Sequence, residues 1–373
     1  MSDPSKRRAV RRSGALLAAG ALALTGAAAF TTPAHAASQS VSDATLRWGL
    51  SREAGGGVYL PGTCNFLSAG TAGNTESSRQ WTEADGFYKT SDGNVTIVKP
   101  AAGGGDATPT WATKCQDANG ANVTPSPASG SGNQVVFSRG IGTVDTAAGT
   151  ASISWTGSFT SAFYGGLTYW SASNPVLTVN ADGSGTLNAT VSGYGADMAD
   201  PSAWRVLQPT TVSLATFAPG KFGVTPTGVT VTPDYAGVEV TVDSGQVRSG
   251  ANWGAFPQSF VDFHGQTGQA AYWYSSGGAA DPKKMASPAT FGWTVSSTPT
   301  PTQNPTPTQN PTPTTGPNDV NVEVTVPESG GGKSPVVPAR SPGPSTVPGP
   351  SAWAPLSPQK LVSWPRAACG RSR

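Results

Sequence analysis

The sequence predicts an all-β fold, an antiparallel two-sheet sandwich-like domain over residues 37–297, and three observations predict it. From about Thr45 to Val295 the chain is rich in Gly, Thr, Ser and Val, and short alternating runs recur between turn residues with almost no helical periodicity. Hairpins are legible: "PVLTVNADGSGTLNATV" sets Val176 to Asn180 against Leu187, Ala189 and Val191 across an Asp182-Gly183 turn. In "GVTVTPDYAGVEVTV", Val229 and Val231 answer Val238, Val240 and Val242 across Pro233-Asp234. Finally, about 250 residues with many strands exceed what one flat sheet can cover on both faces, so a second layer is expected.

Residues 1–36 read as a signal peptide. Lys6, Arg7, Arg8, Arg11 and Arg12 precede an apolar run from Ala15 to Phe30, and Ala34-His35-Ala36 supplies small residues at a cleavage site. The run has the length of a signal core, and nothing later reaches the roughly 18–20 apolar residues of a membrane span. The expected location is therefore extracellular, secreted or held at the cell wall, with no transmembrane span in the chain.

Within the domain, "WTGSFTSAFYGGLTYWSASNPVLTV" reads as a strand, a glycine corner at Gly165-Gly166 and a second strand, with Phe163, Tyr164, Tyr169 and Trp170 crowded around the corner. Such a cluster is either core, because aromatics bury the largest area per residue, or the wall of a flat ligand. After the domain, residues 298–317 ("TPTPTQNPTPTQNPTPTTGP" from Thr298) form a Pro/Thr-rich linker. Proline at alternate positions favours an extended conformation of about 3.1 Å per residue, a semi-rigid spacer. Residues 318–373 open as a strand in "VNVEVTV" and then lose every acidic residue and all apolar periodicity after Glu328, the pattern of a truncated or disordered tail.

Five basic residues lie in the signal peptide and six more after Glu328, so the formal charge of +2 does not describe the domain. Between Ala37 and Ser297 there are 12 Lys and Arg against 17 Asp and Glu, a balance of −5. A domain of this sign lacks the electrostatic footprint for nucleic acid. Of the three cysteines, Cys64 and Cys115 are predicted to pair in an oxidising exterior, leaving Cys369 in the tail.

Enzyme chemistry finds little support. His264 is the only histidine after the signal peptide, no G-x-S-x-G is present, and no His or Cys pair has zinc-ligand spacing. His264 in "FVDFHGQTG" is expected at a strand end with a solvated ring. Glu83 and Asp85 in "WTEADGFYK" are read as a polar turn in preference to a catalytic carboxylate pair. The chain is predicted not to be an enzyme.

Three stretches carry a resemblance. "LRWGL" near the start, "GSFTSAFYGGLTYWSASNP" at mid-domain and "AFPQSFVDFHGQTGQAAYWYSSGGAADPKKMASP" at the close resemble the opening, middle and end of an HtaA domain, over roughly residues 44–296. That family comprises secreted or surface-attached haem-binding modules of actinobacterial iron acquisition. The resemblance implies a β-sheet fold, haem as cofactor, and haem or haem-carrying proteins as partners, with cell-wall components as further candidates. In the family a tyrosine about nine positions after the opening Trp binds the iron, and here the nearest tyrosine is Tyr59, about two places later. The family histidine that supports that ligand falls on Tyr164, counting from Gly157-Ser158 to Asn174-Pro175. Tyr59 and Tyr164 are thus the implied haem-binding residues, with Tyr59 on the iron or, as the alternative, Tyr164 in its place; a phenolate is a suitable axial ligand for ferric haem. Glu53-Ala54 stands where the family has Ser-Phe. Together with the long spacer this points to a second function class, a cell-surface structural or adhesion module of the same fold without haem. Carbohydrate binding on exposed Trp and Tyr is a third.

Overall fold

A computed structural model describes residues 38–196, 200 and 202–295. The predicted signal peptide, linker and tail lie outside the described residues. Among the described residues there are thirteen strands, all paired antiparallel: β1 (Gln39–Trp48), β2 (Phe66–Ala69), β3 (Ser91–Asp92), β4 (Val95–Pro100), β5 (Asp106–Ala107), β6 (Gln134–Asp145), β7 (Thr150–Ser154), β8 (Ser158–Phe163), β9 (Thr168–Val179), β10 (Gly185–Gly195), β11 (Arg205–Phe217), β12 (Gly228–Val231) and β13 (Ala289–Gly292). The main path runs β11-β10-β9-β7-β6-β1-β13-β12, with β2 joined through β8, and with β3 and β5 joined through β4.

Two long strands change partner midway, and this joins the branches of one continuous sheet. β9 pairs with β8 from Thr168 to Ser173 and with β7 from Val176 to Val179. β6 pairs with β4 over Gln134 to Phe137 and with β7 over Ile141 to Asp145. At each change stands a non-glycine residue with left-handed backbone, Asn174 (φ 53°) and Arg139 (φ 57°). Both coincide with register shifts, as a bulge that redirects a strand requires.

The hairpin across Asp182-Gly183 forms as the sequence predicts, with Leu187 opposite Leu177 and a strictly alternating burial along β10. The hairpin across Pro233-Asp234 does not. β12 pairs with β13, 58 positions on from Val231 to Ala289, and the run from Val238 to Val242 joins no strand. Two glutamine side chains bond part of its backbone instead. Gln246 accepts from the N–H of Val240 at 3.0 Å and donates to the carbonyl of Val238 at 2.9 Å; Gln258 accepts from Thr241 N–H at 2.8 Å and donates to its carbonyl at 3.0 Å. A primary amide offers the donor and acceptor of a peptide group, so this part of the alternating run is bonded without a neighbouring strand.

The helix α1 (Gln258–Thr267) is an addition to the expected all-β pattern. Pro257 precedes it, Gly268 (φ 76°) closes it by donating to the carbonyl of His264, and Phe260, Val261, Phe263, His264 and Thr267 are buried. A one-turn helix, α2 (Asp281–Lys284), follows. Cys64 and Cys115 are joined, as predicted. Closing a loop over a separation of 51 residues stabilises by roughly 2–4 kcal/mol in the loop-entropy account. The bridge holds the segment around Lys114, whose ammonium lies 3.4 Å above the Trp111 ring centre, near Phe66 and Tyr88.

Candidate functional site

The two candidate tyrosines are 105 positions apart in sequence and come from segments that touch. Gly57 and Cys64 form an isolated bridge that closes a loop carrying Tyr59; Pro61-Gly62 turns it, and Thr63 returns to the Leu60 carbonyl through both its N–H and its hydroxyl. Tyr59 stands in solvent with 77 % of its surface exposed. At the loop base the Cys64 carbonyl accepts from Gly165 N–H at 3.0 Å, and the Gly165 carbonyl accepts from Trp81 N–H at 2.8 Å. The loop of Tyr59 is therefore pinned to the corner that carries Tyr164.

The corner needs its glycines. Gly165 and Gly166 have φ of 72° and 107°, and a Cβ on Gly166 would collide with the Trp81 ring. Tyr164 also takes a left-handed backbone (φ 51°), which is costly for an aromatic residue, and its N–H donates to Asn65 Oδ1 at 2.9 Å. Its half-buried ring packs 6.1 Å from that of Tyr272. Burial, followed by the nearby Tyr164, pushes the Tyr272 phenol pKa far above its ordinary value.

The aromatic stripe answers to the core reading. Phe163, Tyr169 and Trp170 are buried, and Trp170 meets Phe159, Phe260, His264 and Trp273 edge to face with centroids 4.9–5.8 Å apart. His264 is not at a strand end with a solvated ring. It lies on α1, 0 % exposed, enclosed by Trp170, Phe260, Phe263 and Trp273. The helix turns it inward because positions 260, 264 and 267 share one face. The Thr267 hydroxyl donates to the His264 carbonyl, so Nδ1 must carry the proton to donate to Thr267 Oγ1 at 3.1 Å; Nε2 has no partner. Burial drives its pKa well below the usual value.

Glu83 and Asp85 sit in a short turn, as the polar-turn reading expects. Asp85 caps it through Thr82 N–H and pairs with Arg79 at 2.8 Å, which holds its carboxyl far below the usual range. A groove of about 430 Å³ lies elsewhere, lined by Thr71, Asp92, Asn94, Thr156 and Ser158 among others, and neither candidate tyrosine lines it.

Beneath the Tyr59 loop is a buried polar cluster that sequence reasoning missed. Lys283 Nζ lies 2.9 Å from Glu53 Oε2 and donates to the Gly57 carbonyl at 3.0 Å. Asn65 Nδ2 donates to the Glu53 carbonyl at 2.8 Å and to Glu53 Oε1 at 3.3 Å. Lys284 pairs with Asp281 at 2.6 Å. Burial pushes the Glu53 pKa up, against the pull of Lys283. The position nine residues after Trp48 is Gly57, where a Cβ would come 2.5 Å from the Thr124 backbone. No tyrosine fits there.

No family model matches the chain, and no curated protein matches it. Among solved structures, a match is the crystal structure of the C-terminal domain of HtaA from Corynebacterium glutamicum, at 16 % identity and a TM-score of 0.33, covering 69 % of this chain and 99 % of that one.

Proposed function

We propose that the domain is an exported, non-catalytic binding module of haem acquisition, and that it takes ferric haem at the end formed by the Tyr59 loop and the Gly165-Gly166 corner. Tyr59 is assigned to the iron and Tyr164 to the adjoining surface. One observation carries the reading: the Cys64 carbonyl pins the Tyr59 loop to the Tyr164 corner, so the segments that carry both residues implied by the HtaA resemblance are neighbours. The exposed Tyr59 is within reach of a ligand, whereas the aromatics behind the corner are packed on one another. The residues therefore fit a porphyrin seated on the surface and not one enclosed in the core. When bound, haem supplies a ferric centre that favours the phenolate form of its ligand.

Titration of the purified domain with haemin is expected to give a stoichiometric Soret change and a phenolate-to-iron charge-transfer band. Tyr59→Phe should abolish that band while the melting transition stays in place. Tyr164→Phe should weaken binding by about 0.5–1.5 kcal/mol, the worth of one neutral hydrogen bond. Absence of any haemin spectrum at stoichiometric concentrations would overturn both assignments.

A second reading, an extracellular structural or adhesion module, is favoured by Gly57. The family position for the iron ligand is closed here by the Thr124 backbone. It becomes the better account if the titration is blank.

A further inference from the structure

Three buried side chains, two from the opening loops and one from α2, meet as an amine, a carboxyl group and a primary amide. Lys283 is 2 % exposed, Glu53 4 % and Asn65 0 %. The Glu53 carboxyl group bridges them, with the Lys283 amine 2.9 Å from Oε2 and the Asn65 amide nitrogen 3.3 Å from Oε1. The same amine also donates to the Gly57 carbonyl at 3.0 Å, so it is shared between the two oxygens. On the far side of the amide, Oδ1 accepts from Tyr164 N–H at 2.9 Å. That donor is aimed by a left-handed tyrosine backbone, a conformation that persists only where the surroundings impose it.

This is the set of groups that acyl transfer needs: a nucleophilic amine, an acid–base carboxyl group beside both nitrogens, and a backbone donor at the oxygen where negative charge develops. We propose that Lys283 and Asn65 become joined by an intramolecular amide bond, formed by the folded chain with loss of ammonia.

The steps balance without a co-reactant. The ammonium of Lys283 passes a proton to Glu53, leaving an amine and a carboxylic acid. The amine leaves the Gly57 carbonyl and attacks Cγ of Asn65, forming the C–N bond and placing negative charge on Oδ1 opposite Tyr164 N–H. The acid of Glu53 protonates Nδ2, the new nitrogen returns a proton to Glu53, the carbonyl re-forms and the Cγ–Nδ2 bond breaks. Ammonia departs, and an amide N–H and a neutral Glu53 remain. Burial assists the first step, since it disfavours the charged carboxylate and raises its pKa. It also gives the reaction a driving force: a buried ion pair bears a desolvation penalty that the neutral amide does not.

The bond would tie the α2 segment to the residue beside Cys64, next to the disulfide, and so fasten the closing segment of the domain to its opening loops. This stands apart from the haem reading, because it uses no atom of Tyr59 and only the backbone of Tyr164.

Intact-mass measurement of the exported, folded, reduced protein decides it. The expected mass lies about 17 Da, one ammonia, below that calculated for the open chain. A protease digest should contain a branched peptide joining the Asn65 and Lys283 fragments. Glu53→Gln and Lys283→Met should each return the protein to its calculated mass. An unshifted wild-type mass overturns the proposal even if neither variant folds. So does a 17 Da loss confined to an unbranched Asn65 peptide, the signature of a succinimide. Persistence of the branched peptide in Glu53→Gln would remove Glu53 from the reaction as written.

Discussion

Replacing Trp170 by alanine is expected to destabilise the domain by about 3–5 kcal/mol, the range for emptying a buried indole site. Trp170 is fully buried on β9 and meets Phe159, Phe260, His264 and Trp273 at its edges and faces. Its neighbours come from β8, from α1 and from the turn after α1, so no single side chain can move in to fill the space. The same substitution separates the two meanings of the aromatic stripe. A residue that walls a ligand site would cost affinity and spare the fold, whereas a core residue costs stability with or without ligand. Urea unfolding without haemin is the measurement; a loss below about 1 kcal/mol at unchanged m-value would contradict the core assignment.

How much of this was legible in the sequence depends on whether a signal is local. The corner between β8 and β9 is legible because two adjacent glycines interrupt an alternating pattern, and the hairpin to β10 because Asp182-Gly183 names its turn. The run at Val238 to Val242 carries the same alternation and misleads. Period two shows that a backbone is extended, but not whether its partner is a strand or the amides of Gln246 and Gln258. α1 is hidden for another reason. It is a single helix of ten residues with Gly265 inside it, and its face of Phe260, His264 and Thr267 is too short to stand out in a long β sequence. Pro257 before it and Gly268 after it were the available signals.

The candidate site divides in the same way. Tyr59 and Tyr164 are singled out by resemblance at two separate motifs, and nothing in the sequence says that their segments touch. The contact depends on backbone atoms of Cys64 and Gly165, which no side-chain pattern announces. Glu53, Asn65 and Lys283 were harder still: each sits in a stretch that reads as an ordinary loop, and only tertiary closure of the chain turns three surface-type residues into a dry cluster. Burial of such groups is rare unless they are paired, which is why their meeting carries information that their spacing does not.

Acidification is expected to destabilise the domain from about pH 6.5 downward, through His264. The enclosing rings of Trp170, Phe260, Phe263 and Trp273 supply no anion, and Nε2 is without a partner, so protonation in place would strand a buried cation. Burial accordingly depresses its folded pKa well below the unfolded value of 6.5. Above that value both states are neutral and nothing is lost. Below it the unfolded chain takes up a proton that the folded chain refuses, and stability falls by about 1.4 kcal/mol per pH unit until the folded pKa is reached. Glu53 acts in the opposite sense at lower pH, because its raised folded pKa favours the native state as protons are added. His264→Phe keeps a ring in the cage and leaves Glu53 unchanged, so the difference between the two proteins isolates the imidazole. Stabilities from urea unfolding at intervals between pH 8 and pH 5 should coincide in slope above about 6.5 and diverge below it, with the wild type losing more. Parallel slopes throughout would mean that the cage opens to solvent, and that the core around Trp170 is not closed as described.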